Sequence, residues 1–217
     1  MDPKYGKIIV MNRLGEPLRV RNRKKISVSL AFEVIIQAFD RIQGLHEAGV
    51  IHRDVKPNNI VKVGDDYKLI DFGLTRKNAG GRMTGYMVTR WFRPPELLEL
   101  KDFDYQKYDG RCDMWSLATT AYFLQHGQPL FHGNAEEIMS MYKNYKAIGV
   151  LKYLICDYEK RWTAREMLEN NEIELIEGSL SDVKEREGKV GDFVRCMVEG
   201  REDMADNYSH EQIYLDL

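Results

Sequence analysis

Ile51-His52-Arg53-Asp54-Val55-Lys56-Pro57-Asn58-Asn59 is the stretch on which the reading of this 217-residue chain turns. It sets a carboxylate at Asp54, a lysine two residues on and an amide at Asn59 into one short loop. Short apolar runs follow at Ile60-Val61 and Tyr67-Leu69-Ile70, flanking Gly64-Asp65-Asp66, which is the pattern of a small hairpin. The turn at Gly64 carries the chain back, so Asp71 of Asp71-Phe72-Gly73 is expected beside the loop that holds Asp54 and Asn59. Upstream, within residues 28–48, apolar side chains at 32, 35, 39, 42 and 45 have the spacing of one helical stripe. Gly49 closes that helix in the manner of a C-terminal cap. Downstream, residues 113–124 are apolar on nearly every face, as in a helix buried inside a larger body, and 135–147 and 163–170 read as further helices. Lys7-Ile8-Ile9-Val10-Met11 reads as a buried strand ending near Gly15. The fold class is therefore mainly α (α+β), a helical body with one or two short strand pairs.

Composition bounds the rest. With 43% hydrophobic and 30% charged residues, a packed core is expected and global disorder is not. The length suits one domain of ordinary size or two very small ones. Lys+Arg at 32 against Asp+Glu at 34 gives a net charge of −2, which argues against a dedicated nucleic-acid binder. Cys112, Cys156 and Cys196 are widely spaced and form no C-x-x-C pair, so a disulfide framework or zinc cluster is not expected and a reducing compartment is. Met1-Asp2-Pro3-Lys4 is not followed by the apolar run of a secretory leader. Nor does any stretch approach the ~18 uninterrupted apolar residues of a spanning helix. The expectation is an intracellular protein, cytoplasmic or nuclear, with no membrane partner. Charge is uneven, net +6 over residues 1–30 and −9 over residues 157–217. The basic N-terminal stretch is either solvated surface or an attractor for phosphate or an acidic partner, since charge blocks alone identify no partner.

The ordered set His52-Arg53-Asp54-x-Lys56-x-x-Asn59, then Asp71-Phe72-Gly73, then Arg93-Pro94-Pro95-Glu96 resembles eukaryotic protein kinases in their catalytic loop, magnesium loop and activation-segment end. The resemblance implies phosphoryl transfer from ATP with Mg2+, a reaction catalysed mostly by positioning and charge neutralisation. It assigns Asp54 to the proton of the substrate hydroxyl and Lys56 to the transferred phosphate. Asn59 and Asp71 become the magnesium ligands, as the hard cation's taste for oxygen requires. Met83-Thr84-Gly85-Tyr86 and Val88-Thr89-Arg90-Trp91-Phe92-Arg93 are similar to mitogen-activated protein kinases, where a T-x-Y pair is phosphorylated. This makes Thr84 and Tyr86 candidate regulatory phosphosites, with Arg53, Arg90 and Arg93 as guanidinium partners for the added charge. Lys56 and Thr89 together resemble serine/threonine rather than tyrosine kinases. Asp113 of Asp113-Met114-Trp115-Ser116 looks like the residue that braces the catalytic-loop backbone, and Arg161 like the partner of Glu96.

The resemblance covers roughly residues 7–170 and only the larger C-terminal lobe. No G-x-G-x-x-G and no V-A-I-K precede Asp54. Residues 1–18 are accordingly expected as a remnant of the last small-lobe strand and hinge, 19–170 as the kinase-like lobe, and 171–217 as an acidic extension. Leu14-Gly15-Glu16-Pro17-Leu18 resembles the casein kinase group instead. Further departures are Pro94 in place of the alanine of A-P-E, Ala118 where D-x-W-S-x-G has glycine, and the lack of a long insertion between 133 and 157. Two functions follow as alternatives: a serine/threonine kinase acting on a protein substrate, or an inactive lobe that binds and regulates a partner kinase or other protein. An open upper face would favour a protein partner that covers it.

Overall fold

The first described helix, α1 (Val28–Glu47), starts where Ser27 accepts a hydrogen bond from the backbone N–H of Leu30 at 3.2 Å. It ends where Ala48 N–H and Gly49 N–H bond back to Gly44 and His46, with Gly49 in the left-handed region at φ +69. Such a conformation suits a residue without Cβ. Along the helix, Ala31, Val34, Ile35, Ala38, Phe39 and Ile42 form the buried face. The computed structural model describes residues 15, 18, 26–77, 90–98, 109–147 and 149–169. The strand expected at 7–11, the segments 1–14 and 171–217, Cys196, Thr84, Tyr86 and Thr89 lie outside the described residues.

After α1 come β1 (Val50–Ile51), the loop that opened the sequence reading, then β2 (Ile60–Val63) and β3 (Asp66–Leu69). β2 and β3 form an antiparallel hairpin with Ile60 opposite Leu69 and Val63 opposite Asp66, turning at Gly64 with φ +65. β4 (Arg76–Lys77) returns to pair antiparallel with β1, so the loop that carries Asp54 and the Asp71 segment are clamped at both ends. Two two-stranded sheets result among the described residues.

The remaining helices are α2 (Pro95–Leu98), α3 (Arg111–His126), α4 (Ala135–Asn144) and α5 (Ala164–Glu169). α3 is the centre. It buries residues on every face, among them Met114, Trp115, Leu117, Thr120 and Leu124, and it packs against α1. It runs two residues further at each end than its apolar stretch of 113–124, stopping where Gly127 turns left-handed. α4 stops at Asn144, three residues before its expected end, because Tyr145 is extended at φ −79, ψ 128. Asn134 and Glu137 cap its start reciprocally, at 3.0 and 2.7 Å. Thr163 and Glu166 do the same for α5. The main core joins α1, the β2–β3 hairpin, α3, α4 and α5, with Trp115 stacked on Phe131 at 5.6 Å and Phe39 fully enclosed, and a smaller cluster sets Ile51 against Cys112, Leu97 and Tyr158.

Phe39 carries the largest apolar side chain on the buried face of α1. Phe39→Ala is expected to lower stability by about 3–5 kcal/mol, the usual cost of deleting a core ring. A urea titration checks this: the midpoint should fall at unchanged slope.

Candidate active site

The loop between β1 and β2 is buried despite its charges. Residues 51–57 and Asn59 are all enclosed, and only Asn58 is exposed. Burial on this scale requires every polar group to find a partner. The Asp54 Oδ2 oxygen does so twice, with Lys56 Nζ at 2.8 Å and Asn59 Nδ2 at 2.9 Å. Asn59 Nδ2 donates a second bond to the Asp54 carbonyl at 2.8 Å, closing the loop on itself. Pro57 suits the short 3-10 turn Pro57–Asn59, since its missing N–H is not needed there. Asp54, Lys56 and Asn59 are thus one hydrogen-bonded cluster.

His52 orients this cluster from below. The Asp54 N–H donates to His52 Nδ1 at 3.3 Å, so the other ring nitrogen, Nε2, carries the hydrogen and donates to the Ile70 carbonyl at 3.1 Å. The Ile70 N–H in turn donates to the Asn59 carbonyl at 2.9 Å. These bonds fasten the strand leading into Asp71 to the loop of Asp54. Asp71 itself has φ +63, and its Oδ1 accepts from Gly73 N at 3.3 Å. Its carboxylate is exposed. Asp71 therefore reaches the cluster through backbone, and among the described residues no hydrogen bond joins its side chain to Asn59.

A single carboxylate holds the loop's entrance. Asp113, in the first turn of α3 and fully buried, accepts from His52 N at 2.8 Å and Arg53 N at 2.7 Å. His46 Nε2, at the end of α1, completes the set at 2.9 Å. Burial pushes this carboxyl upward, but the hydrogen bond from His46, the electrostatic attraction of the His46 and His52 rings and the His52 backbone N–H together outweigh it and leave Asp113 below the ordinary carboxylate range. The Arg53 bond matters because Arg53 has φ +72, a left-handed conformation that costs a non-glycine residue energy. Gly110 is required for the same arrangement, since a Cβ there would lie 2.5 Å from the His46 ring. Neither histidine's role was read from the sequence. His46 could have been found, because it lies four residues beyond Ile42 on the buried stripe of α1.

Arg161 is the second anchor. Fully buried, it meets Glu96 in a fork, Nη1 to Oε1 at 2.5 Å and Nη2 to Oε2 at 3.1 Å. It also donates to the carbonyls of Cys156 and Arg111, and lies 4.9 Å over the Trp115 ring. Ser116 Oγ donates to the Phe92 carbonyl at 2.8 Å, tying the turn Arg90–Phe92 to α3. Arg53 Nη1 donates to the Leu74 carbonyl at 3.1 Å. Arg90 is exposed and Arg93 half-buried. Thr84 and Tyr86 lie outside the described residues, so the structure places the three arginines but not the phosphosites expected to meet them.

The donor set suits a hard cation. Asn59 spends its amide nitrogen on Asp54, which leaves its oxygen for a ligand, and Asp71 has one carboxylate oxygen engaged by Gly73. Among the described residues no group of three or more His, Cys, Asp or Glu could hold a metal. No described helix is long and apolar enough to cross a membrane.

The family model described as protein kinase domain matches residues 8–191. A putative cyclin-dependent kinase F-2 of Oryza sativa subsp. japonica is 36% identical over 138 residues, covering 62% of this chain and 38% of that protein. Mitogen-activated protein kinase 12 of Danio rerio is 33% identical over 146 residues, covering 66% of this chain and 36% of its own. The chain spans little more than a third of the length of these relatives.

Two measurements test the anchors. Glu96→Ala leaves a buried guanidinium without its carboxylate, and the expected loss is about 3–5 kcal/mol in a urea titration; an unchanged midpoint would refute the pairing. Asp113→Asn should destabilise the protein at neutral pH. A lowered carboxyl contributes stability above its unfolded value of 3.8 and loses it as pH falls through the folded value. The penalty of Asp113→Asn should therefore shrink on acidification below about pH 4, read as midpoints across pH.

Proposed function

The chain belongs to the protein kinase family, and from that premise we propose that it takes part in transfer of a phosphoryl group from Mg-ATP to serine or threonine of a protein substrate. One observation carries the reading: the Asp54 carboxylate, enclosed with Lys56 Nζ at 2.8 Å and Asn59 Nδ2 at 2.9 Å on the same oxygen. A lobe serving only as scaffold has no use for a lysine and an amide gathered on one buried carboxylate.

The chemistry follows from what each group has left over. With Oδ2 engaged twice, Asp54 Oδ1 is the oxygen that accepts the proton of an incoming hydroxyl. Lys56 Nζ offsets negative charge growing on the transferred phosphoryl group. Asn59 and Asp71 are the residues that would hold magnesium through oxygen, and the chemistry it would supply there is neutralisation of charge on the phosphates. The serine/threonine preference rests on Lys56 and Thr89. Thr84 and Tyr86 are proposed as modification sites, with Arg53, Arg90 and Arg93 as the partners of their phosphates. Phe72, 51% exposed beside Asp71 and 5.2 Å from the His52 ring, supports an apolar surface closing over this end of the site. That surface is also where a regulatory partner would sit if the protein binds rather than catalyses.

Calorimetric titration with Mg-ATP separates the two. Binding at about 1 mM or tighter that disappears in Asp71→Ala is the expected result, and its absence removes catalysis by this chain alone. Where turnover is measured, Asp54→Asn should lower kcat by roughly 10²–10⁴ while Mg-ATP still binds.

A further inference from the structure

A hydrogen bond joins α1 directly to the hairpin that leads into Asp71. Gln37, half-buried on α1, accepts through Oε1 from the backbone N–H of Tyr67 in β3 at 2.7 Å.

The register of the hairpin explains why that N–H needs a partner outside it. Ile70 N–H points across to the Asn59 carbonyl, and backbone groups of an antiparallel strand face the partner strand at every second residue. Tyr67, three residues before Ile70, therefore turns its N–H away from β2, to the outer edge of β3. Tyr67 is 2% exposed, so this edge has to be served from within the protein. Gln37 serves it. A backbone N–H only donates, which makes the side-chain oxygen the acceptor.

β3 is thereby tied along both edges. Gln37 takes the outer edge at Tyr67, while the Asn59 carbonyl and His52 Nε2 take the Ile70 N–H and carbonyl. The next residue is Asp71. Its side chain makes no hydrogen bond to Asn59 among the described residues, so backbone alone sets the spacing of their oxygens. A strand tied along one edge pivots about it; one tied along both does not. The helix that supplies the outer tie also ends in His46, which bonds Asp113 and so the loop of Asp54. Gln37 and His46 stand about 13 Å apart along the axis of α1, and that one helix gauges both parts of the site.

We propose that Gln37 is a positioning residue for the reaction, holding β3, and through it Asp71, at the spacing from Asn59 that lets both oxygens reach one divalent cation. The inference rests on the reading of Asn59 and Asp71 as the residues that would hold magnesium. Pairing within the hairpin brings the two segments together; Gln37 fixes where the outer edge stands.

The test is NMR titration of the whole chain with Mn2+ and ATP, a paramagnetic stand-in for the magnesium complex. The signals read are the Asn59 side-chain amide and the Asp71 backbone amide, which a bound Mn2+ broadens. Gln37→Met removes the acceptor at nearly unchanged length and should weaken Mn2+ binding about fivefold, the equivalent of one ordinary hydrogen bond. Gln37→Glu keeps an acceptor oxygen and should restore wild-type affinity in about 0.15 M salt, which screens its added charge. Val34→Ala loosens the same helix without touching the bond and should leave the affinity unchanged. Equal affinity in Gln37→Met overturns the proposal. So does failure of Gln37→Glu to restore it, or a loss in Val34→Ala as large as in Gln37→Met. In the unaltered protein the Tyr67 amide should exchange with deuterium as slowly as the Ile70 amide, and free exchange overturns the proposal without any variant. Broadening that is absent, or that survives Asp71→Ala, removes Asn59 and Asp71 as ligands and this inference with them. Broadening that Asp71→Ala abolishes and Gln37→Met leaves intact overturns this inference alone.

Discussion

Everything near the Asp54 cluster depends on one buried carboxylate. Asp113 has no solvent exposure, and a charge in that position survives only if its lone pairs are fully used. Four donors use them: His46 from the end of α1, the backbone of His52 and Arg53, and more weakly the neighbouring Cys112 thiol at 3.9 Å. Because two donors are main-chain groups, the bond fixes the course of the loop as well as a side-chain position. Arg53 is held left-handed by it, and the next residue is Asp54. The geometry of the candidate base is thus inherited from the first turn of a helix that touches no reacting group.

That helix is also where the second anchor converges. Arg161 reaches across to Glu96, to the Arg111 carbonyl and over Trp115, so the segment after Arg90–Phe92 is referred to α3 as well. A site whose parts are all measured from one rigid, enclosed element tolerates little drift. Cys112 shares this interior. Burial first, then the Asp113 and Glu96 charges, raise its thiol far above the ordinary range, which keeps it an inert packing group.

Local patterns made much of the fold legible. The stripe in residues 28–48 and the Gly64 hairpin carry their periodicity and turn residues in the sequence, and α1, β2 and β3 follow them closely. α4 ends three residues short of the expected 147 because the backbone has turned extended at Tyr145. The contact between Glu96 and Arg161 joins residues 65 apart. Periodicity has no means of linking them, and only the order of motifs does. The role of His46 is illegible for a related reason: it looks like a polar end to an apolar stripe until the carboxylate it meets, 67 residues on, is in place.

The hairpin has a consequence for how the site comes together. Asn59 and Asp71 are brought near each other by a single tight turn, with Ile70 bonded to Asn59 across about ten residues of chain. Asp54 owes its setting to Asp113, and the bond from Arg53 spans 60 residues. Loop-closure entropy rises by about 0.6 kcal/mol for each doubling of length, so the long closure costs roughly 1.5 kcal/mol more than the short one. The pair Asn59 and Asp71 is assembled by local chain entropy, and Asp54 by a long-range constraint. One half of the site is a property of a hairpin; the other exists only when the whole helical body has closed around it.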